Sequence, residues 1–168
     1  MTMIRAFILL GGVTGSAWEA YVPGVNTGML GLRDQIVALG VPVTVYPWGS
    51  YAQCDADIFA NVVGHSVVIG YSGGGSRATY LKSHVDLLVG YDPSPSYQVS
   101  PLRTNVGTAI CYYNTSPFFF GLGGGAYKLA ADNKTTILHT ITVSEQHLAV
   151  QYDSSLHAHT IAAIRGLM

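Results

Sequence analysis

Short apolar runs rich in β-branched residues alternate along this chain with stretches that are compatible with helices. Near-continuous apolar runs separated by helices are typical of a parallel sheet that is covered on both faces. Six runs are predicted as strands: Ile4–Leu10, Val43–Tyr46, Ser66–Tyr71, Val85–Tyr91, Thr108–Tyr113 and Thr135–Val143. Four helices are predicted: Met29–Leu39, Asp55–Val63, Gly74–Lys82 and Ser155–Arg165. The sequence therefore predicts an α/β fold of three layers, α/β/α, around a mostly parallel sheet of about six strands.

Length and charge limit the classes of protein to consider. The 168 residues fit a single domain, expected over residues 1–168. Charged residues make up 10% of the chain and the net charge is −1, which favours neither nucleic acid nor an anionic membrane surface as a partner. No apolar run reaches the roughly 18 residues that a transmembrane helix needs. We expect a soluble protein, with the cytoplasm slightly favoured and the oligomeric state open.

The amino terminus has two interpretations. Arg5 followed by five apolar residues could be a short secretory signal, with residues 15–17 as the cleavage region. The apolar segment is short, however, and serves better as the first strand of the core. We therefore expect a strand here.

The third predicted strand runs directly into Gly70-Tyr71-Ser72-Gly73-Gly74. A Gly-x-Ser-x-Gly turn needs glycines because the serine stands where strand bends sharply into helix. The turn lifts the Ser72 hydroxyl to the carboxyl end of the strand, and it places the Gly73 N–H at a helix amino terminus. A flexible Gly/Ser linker is the alternative, but linkers do not usually join a buried strand to a helix. Ser72 is therefore the predicted nucleophile, and Gly73 a predicted oxyanion donor.

A nucleophilic serine needs a base, and in parallel sheets such groups follow the carboxyl ends of strands. Five of the six histidines precede a strand, lie within the last strand or belong to the terminal helix: His65, His84, His139, His157 and His159. His147 comes just beyond the last predicted strand. We predict His147 as the base, and a loop histidine without a role is the alternative.

Asp92 follows the fourth predicted strand directly, and Pro93 keeps it out of helical geometry. In this position Asp92 can accept the proton on one nitrogen of His147 and leave the other nitrogen for Ser72. Asp86 lies at the opposite end of the same strand and cannot reach. The alternative is a turn aspartate, since Asp-Pro is common in turns.

The first predicted strand ends in a glycine-rich loop that contains Gly12 and Val13. If the sheet reverses direction between the first and third strands, this loop faces Ser72. An N–H group of Gly12 or Val13 would then join that of Gly73, and each such donor lowers the barrier by about 3–4 kcal/mol. A turn that needs glycines only for backbone geometry is the alternative.

Apolar and aromatic residues near this edge are candidates for substrate binding. The segment 115–122 holds three successive phenylalanines, which could line an acyl pocket, touch a lipid interface or simply cover the core. Aromatic residues after the first two strands could form a pocket wall: Trp18, Tyr21 and Trp48. The predicted substrate-binding residues are Trp18, Tyr71, Tyr113, Asn114, Phe118 and Phe119.

The chain order Ser72, Asp92, His147 is that of the α/β-hydrolase fold. Together with Leu10-Gly11-Gly12, Gly90-Tyr91-Asp92-Pro93 and His147-Leu148-Ala149-Val150, it resembles a compact, capless α/β-hydrolase of the lipase/esterase superfamily. The resemblance covers most of the chain and implies a minimal α/β-hydrolase fold. It also implies a serine hydrolase that cleaves small-molecule or lipid-like carboxylic esters through an acyl-enzyme. Neither a metal nor an organic cofactor is expected.

Two departures from the family stand out. The acid of the family usually follows the strand after next from the nucleophile, where this chain offers Asn114. Some lipases place the acid one strand earlier, as Asp92 is placed here. The chain is also short for the family, without the two amino-terminal antiparallel strands and without room for a cap domain.

Other functions remain open at the level of the sequence. A thioesterase or an amidase would use the same machinery, and a binding module could keep the fold after its catalysis decayed. A dinucleotide-binding oxidoreductase is disfavoured because the second strand ends in Tyr46-Pro47-Trp48, without the acidic residue that would bind a ribose. A metal site on His157 and His159 is disfavoured because helical residues two apart point away from each other.

Overall fold

The computed structural model describes residues 3–16, 18, 22–61, 64–115 and 123–168. Its strands are β1 (Met3–Leu10), β2 (Val43–Pro47), β3 (Gly64–Tyr71), β4 (Val85–Tyr91), β5 (Val106–Asn114) and β6 (Ile137–Val143). Its helices are α1 (Thr27–Val37), α2 (Tyr51–Ala60), α3 (Gly73–Ala78) and α4 (Ser154–Arg165). Single 3₁₀ turns follow β2, β4 and β6 at Trp48–Ser50, Pro95–Tyr97 and Val150–Tyr152.

The six strands form one sheet in the order β2-β1-β3-β4-β5-β6, and every neighbouring pair is parallel. The predicted three-layer α/β/α fold is confirmed. From β1 the chain moves outward to β2 and then returns to the other side of β1 to form β3. The direction of the sheet therefore reverses between β1 and β3, which is the condition under which the loop after β1 was expected to face Ser72. Open α/β sheets bind their ligands at such a switch point.

Both faces of the sheet are covered, which explains the lack of polar alternation in its central strands. In β1, Ala6, Ile8 and Leu10 pack into a cluster with α1 and α4. Phe7 and Leu9 point the other way, into a second cluster with α2 and α3. All five side chains have no exposed surface.

The amino-terminal segment forms the interior strand β1, hydrogen-bonded to both β2 and β3. In this structure the apolar run after Arg5 is therefore part of the core. None of the helices within the described ranges is long and apolar enough to cross a bilayer.

All four helices differ in extent from their predicted bounds, and the differences are largest in α2 and α3. Helix α2 begins at Tyr51 instead of Asp55, because the 3₁₀ turn after β2 leads directly into it. Helix α3 ends at Ala78 instead of Lys82. The reason is that Asp55 Oδ1 accepts the backbone N–H groups of Lys82 and Ser83 at 3.0 and 2.9 Å, which holds this segment against α2.

Candidate active site

The turn between β3 and α3 is sharp, and Ser72 is its corner. Ser72 has φ 54° and ψ −121°, a backbone conformation with positive φ that residues other than glycine rarely adopt. Glycines make the turn possible: a Cβ on Gly70 would lie 2.6 Å from the Gly74 carbonyl oxygen. The Ser72 N–H donates to the Tyr91 carbonyl at 3.0 Å, which ties the corner to the end of β4.

Ser72, His147 and Asp92 are joined in a chain of hydrogen bonds. His147 Nε2 lies 2.9 Å from Ser72 Oγ, and His147 Nδ1 lies 2.7 Å from Asp92 Oδ2. The three residues are 8%, 5% and 0% exposed, in the order Ser72, His147, Asp92. An Nδ1–H that donates to the carboxylate leaves the Nε2 lone pair facing the serine hydroxyl. In that tautomer the imidazole can accept a proton from Ser72.

Asp92 is held by backbone groups from two other segments. Its Oδ1 accepts the N–H of Asn114 at 3.0 Å and the N–H of Gly124 at 2.7 Å, while Oδ2 faces His147. Gly123 lies so close that a Cβ there would overlap the carboxylate and stand 2.6 Å from His147 Nδ1. The carboxyl group is thus fixed by three donors, of which the two backbone donors were not predicted from the sequence.

Tyr71 holds His147 in place through ring stacking and a hydrogen bond. The two rings stack with centroids 5.4 Å apart and planes 24° from parallel, and the Tyr71 hydroxyl donates to the His147 carbonyl at 3.0 Å. Burial, with the nearby charge of Asp92, raises the pKa of Tyr71, so its hydroxyl stays protonated and donates. Tyr71 is 2% exposed. Its ring is covered by the imidazole and contacts the core, and its role in substrate binding stays a prediction.

Asn114 makes hydrogen bonds that help to hold Asp92 and the segment carrying His147. Its backbone N–H binds Asp92, and its side-chain Nδ2 donates to the Glu145 carbonyl in the segment that carries His147. Asn114 is 9% exposed. It connects the ends of β5 and β6 and does not replace Asp92 beside the imidazole.

The loop that follows β1, residues 11–15 and here called the β1 loop, lies against Ser72. A Cβ on Gly11 would stand 3.0 Å from the Ser72 Cβ. The fully buried Asn26 holds Gly11 through two hydrogen bonds, from the Gly11 N–H to Oδ1 at 2.8 Å and from Nδ2 to the Gly11 carbonyl at 3.1 Å. Asn26 was not predicted as part of the site.

Gly12 and Val13 follow in the β1 loop, on the side of the switch point where the sequence predicted them. Gly12 has φ 144°, and its carbonyl accepts the indole N–H of Trp48 at 2.9 Å. Val13 is 76% exposed. Gly73 is the first residue of α3, and a Cβ there would lie 3.2 Å from the Trp48 ring.

Two of the other predicted substrate-binding residues, Trp18 and Tyr113, lie within the described part of the chain. Trp18 is 66% exposed, in the connection between β1 and α1. Tyr113 is half-buried and packs against the cluster on the α2 and α3 face, and its role in substrate binding stays a prediction. Phe118 and Phe119 lie outside the described residues.

Other groups that could compete in acid–base or nucleophilic chemistry are placed elsewhere. His65 pairs with Asp86 at 2.8 Å at the amino end of the sheet, the edge opposite to Ser72. The buried His157 of α4 has its Nε2 atom 2.7 Å from the Gln151 carbonyl oxygen. Burial raises the pKa of the Cys111 thiol to about 12, so it stays protonated at neutral pH.

Two solved structures share this fold. Both are of acetyl xylan esterase, one as an iodinated complex, and each superposes on the chain with a TM-score of 0.52. They are 11% and 12% identical to it, cover 99% of it, and are themselves covered over 99% and 98% of their length. Comparison with protein-family models and with curated protein sequences finds no match. At this identity the likeness establishes a common α/β/α hydrolase-type fold.

Proposed function

We propose that this protein is a serine hydrolase that cleaves carboxylic esters, with Ser72 as nucleophile, His147 as base and Asp92 as the group that orients His147. The observation that carries the proposal is the unbroken contact from Ser72 Oγ through the imidazole to Asp92, at 2.9 and 2.7 Å. It is supported by the strained φ of Ser72, since backbone strain of this kind concentrates at functional sites. The likeness to two acetyl xylan esterases adds support for ester chemistry.

In the proposed reaction Ser72 Oγ attacks the ester carbonyl while His147 Nε2 takes the hydroxyl proton. The carbonyl oxygen becomes an oxyanion, and when the tetrahedral intermediate collapses the bond to the leaving alcohol breaks. His147 returns its proton to that alcohol. Water then attacks the acyl-enzyme with His147 again as the base, and the acid departs as Ser72 regains its proton. Asp92 holds the Nδ1–H throughout, so the imidazolium that forms transiently is stabilised by a fixed carboxylate.

The oxyanion would bind between the start of α3 and the β1 loop. The Gly73 N–H belongs to the first turn of α3, where backbone N–H groups lack partners within the helix. We propose that an N–H of Gly12 or Val13 provides the second donor. Support for this comes from Gly11, whose position beside the Ser72 Cβ brings the β1 loop to the nucleophile. Preorganised donors of this kind commonly supply the largest part of the rate enhancement.

The test is the hydrolysis of p-nitrophenyl acetate, butyrate and octanoate by the wild type and by Ser72→Ala. The acetyl ester leads the series because the two similar structures are acetyl esterases. Loss of the hydroxyl should lower kcat by roughly 10⁴-fold or more. The matched control is Ser144→Ala, which removes an exposed hydroxyl from the segment before His147 and should leave the rate unchanged. Equal rates for the wild type and Ser72→Ala would contradict the proposal.

A serine-directed fluorophosphonate separates two remaining alternatives. An active hydrolase of thioester or amide specificity would be labelled at Ser72 even if it turned over none of the three esters. A hydrolase-fold binding module whose catalysis has decayed would remain unlabelled while giving a folded circular dichroism spectrum. Mass spectrometry of the peptide that contains Ser72 decides between them.

A further inference from the structure

Two aromatic residues from different loops pack against each other beside the proposed oxyanion site. Trp48 begins the 3₁₀ turn after β2, and Tyr97 ends the 3₁₀ turn after β4. Their ring centroids are 4.6 Å apart. A Cβ on Gly73 would lie 3.2 Å from Trp48 and 3.3 Å from Tyr97, so both rings contact the first residue of α3.

The polar atoms of the same two side chains bind the β1 loop. Trp48 Nε1–H donates to the Gly12 carbonyl at 2.9 Å. The Tyr97 hydroxyl lies 3.0 Å from the Val13 carbonyl and 3.4 Å from the Gly12 carbonyl. Trp48 also packs on Gly15, where a Cβ would stand 2.8 Å from the indole ring.

Peptide geometry makes these contacts relevant to catalysis. The peptide unit is planar and trans, so the carbonyl of Gly12 and the N–H of Val13 belong to one rigid plane and point in opposite directions. A donor that fixes the Gly12 carbonyl therefore fixes the direction of the Val13 N–H. Asn26 does the same for the preceding plane, since it binds the Gly11 carbonyl and that plane carries the Gly12 N–H.

Behind Trp48 stands Arg77 of α3. Its guanidinium carbon lies 5.5 Å from the centroid of the Trp48 ring, 5.5 Å from Tyr51 and 5.4 Å from Tyr80. Cation–π contacts of this kind hold an aromatic ring in a single orientation. The indole is thus restrained by Arg77 on α3 while its N–H restrains the β1 loop.

From this geometry we propose that Trp48 and Tyr97 are positioning residues that set the distance between the β1 loop and Gly73, and hence the shape of the oxyanion site. This rests on the proposed function. The two rings span from the first residue of α3 to the carbonyls of Gly12 and Val13, so they contact both walls at once. In this role they act through the donors that they place.

The test compares the wild type with Trp48→Phe, Tyr97→Phe and the double variant. Each substitution keeps an aromatic ring and removes the hydrogen-bond donor. We expect kcat per active site, counted by fluorophosphonate titration, to fall about tenfold in Trp48→Phe, because displaced oxyanion donors cost rate more than substrate affinity. KM should change little. The affinity for a boronic acid, whose tetrahedral adduct on Ser72 presents a negatively charged oxygen, should fall by the same factor as kcat.

Tyr51→Phe is the matched control. Tyr51 packs on the same guanidinium, and within the described part of the chain its hydroxyl makes no hydrogen bond to the β1 loop. Its kcat should equal that of the wild type. If Trp48 and Tyr97 only stabilise the fold, their variants would lower the titrated active fraction and leave kcat per site and boronate affinity unchanged, which would overturn the inference.

Failure of the inference is distinct from failure of the proposed function. Full kcat per site in both single variants and the double variant, beside an active wild type, overturns only the positioning role. Should Trp48→Phe fail to fold, Tyr97→Phe gives the answer, since it removes only one oxygen atom. A wild type without Ser72-dependent hydrolysis overturns the proposed function and this inference together.

Discussion

Strand β4 carries an aspartate–histidine pair at each of its ends. At the carboxyl end Asp92 contacts His147 at 2.7 Å, and at the amino end Asp86 contacts His65 at 2.8 Å. The contact distances are nearly the same, but the surroundings differ. The side chains of the first pair are 0% and 5% exposed, in the order Asp, His, and those of the second pair are 20% and 35% exposed.

The two carboxylates also differ in what their histidines face. His147 presents its second nitrogen to Ser72, while Asp86 has a further imidazole, His84, at 3.5 Å. Asp92 has φ 43°, in the left-handed region that residues other than glycine adopt uncommonly and aspartate more often than most. A contact between aspartate and histidine therefore does not define a catalytic pair. The pair that we propose as catalytic differs from the other pair in three features: it lies at the carboxyl edge of the parallel sheet, it is buried, and its aspartate has a positive φ.

The largest effect on kcat is expected when the pair of Asp92 and His147 is broken, and the pair of Asp86 and His65 provides the comparison. Asp92→Asn should lower kcat by roughly 10⁴-fold, because an amide favours the wrong tautomer of His147. Asp86→Asn makes the same chemical change at the other end of β4 and should leave kcat unchanged. Both are measured on p-nitrophenyl acetate, with folding verified by circular dichroism. A full rate in Asp92→Asn would move the orienting role to another residue.

A smaller effect is expected when the backbone over the buried pair is displaced. In Gly123→Ala the new Cβ would stand 2.6 Å from His147 Nδ1 and overlap the Asp92 carboxylate, so the segment after β5 must shift. We expect kcat to fall by roughly 100-fold, as it does when a reacting group is displaced by about 1 Å. Gly31→Ala is the matched control, because a Cβ there meets open space on α1. Equal kcat in the two variants would contradict this account of Gly123.

The partly exposed pair of Asp86 and His65 should instead affect how the free energy of unfolding depends on pH. Partial burial raises the pKa of Asp86, but the hydrogen bonds from His65 and from the Ser66 N–H outweigh burial and hold the pKa below its usual value. The contribution of Asp86 to the free energy of unfolding is therefore complete above the usual pKa of about 4 and is lost as the pH falls through the lower folded value.

Asp86→Asn is expected to lose less than about 1 kcal/mol at pH 6, because the pair is partly exposed to solvent. At the acidic end of the denaturation series the wild type and the variant should converge. Urea denaturation of both proteins from pH 6 to pH 2.5 measures the difference. A difference that grows toward low pH would reverse the sign argued here.

The smallest effect on activity is expected at Asn114. Asn114→Ala removes the bond from Nδ2 to the Glu145 carbonyl but keeps the backbone N–H that Asp92 accepts. We expect a change in kcat of less than about fivefold. Asn114→Pro, which removes the N–H itself, should be far more damaging. A large loss in Asn114→Ala would show that the frame of His147 depends on this side chain.

Much of the fold could be predicted from the sequence because its signals are local. The bounds of β4, Val85–Tyr91, are those predicted, since an apolar run there ends at an aspartate–proline pair. Ser72, Asp92 and His147 were found together because parallel strands bring the residues that follow them to one edge of the sheet. No property other than strand order was needed to pair residues 75 positions apart.

The supports of the site could not be predicted in the same way. Peptide N–H groups hold Asp92, and since nearly every residue type carries one, the sequence gives no sign of which will donate. Asn26 binds Gly11 across 15 positions in an irregular connection, where no periodicity applies. Tyr71 had a usable signal that the prediction of substrate binding did not use, because it shares the strand face of Val67 and Ile69, which points into the core.

The order of the strands has a consequence for synthesis on the ribosome. Of the six strands, the interior strand β1 is synthesised before the others, and its partners β2 and β3 begin only at residues 43 and 64. During that interval β1 lacks its hydrogen-bonding neighbours. His147 emerges 75 residues after Ser72. A nascent chain therefore carries the proposed nucleophile long before the group that would activate it. Hydrolytic activity, once demonstrated, would report that translation had passed β6 and that all six strands had assembled into the sheet.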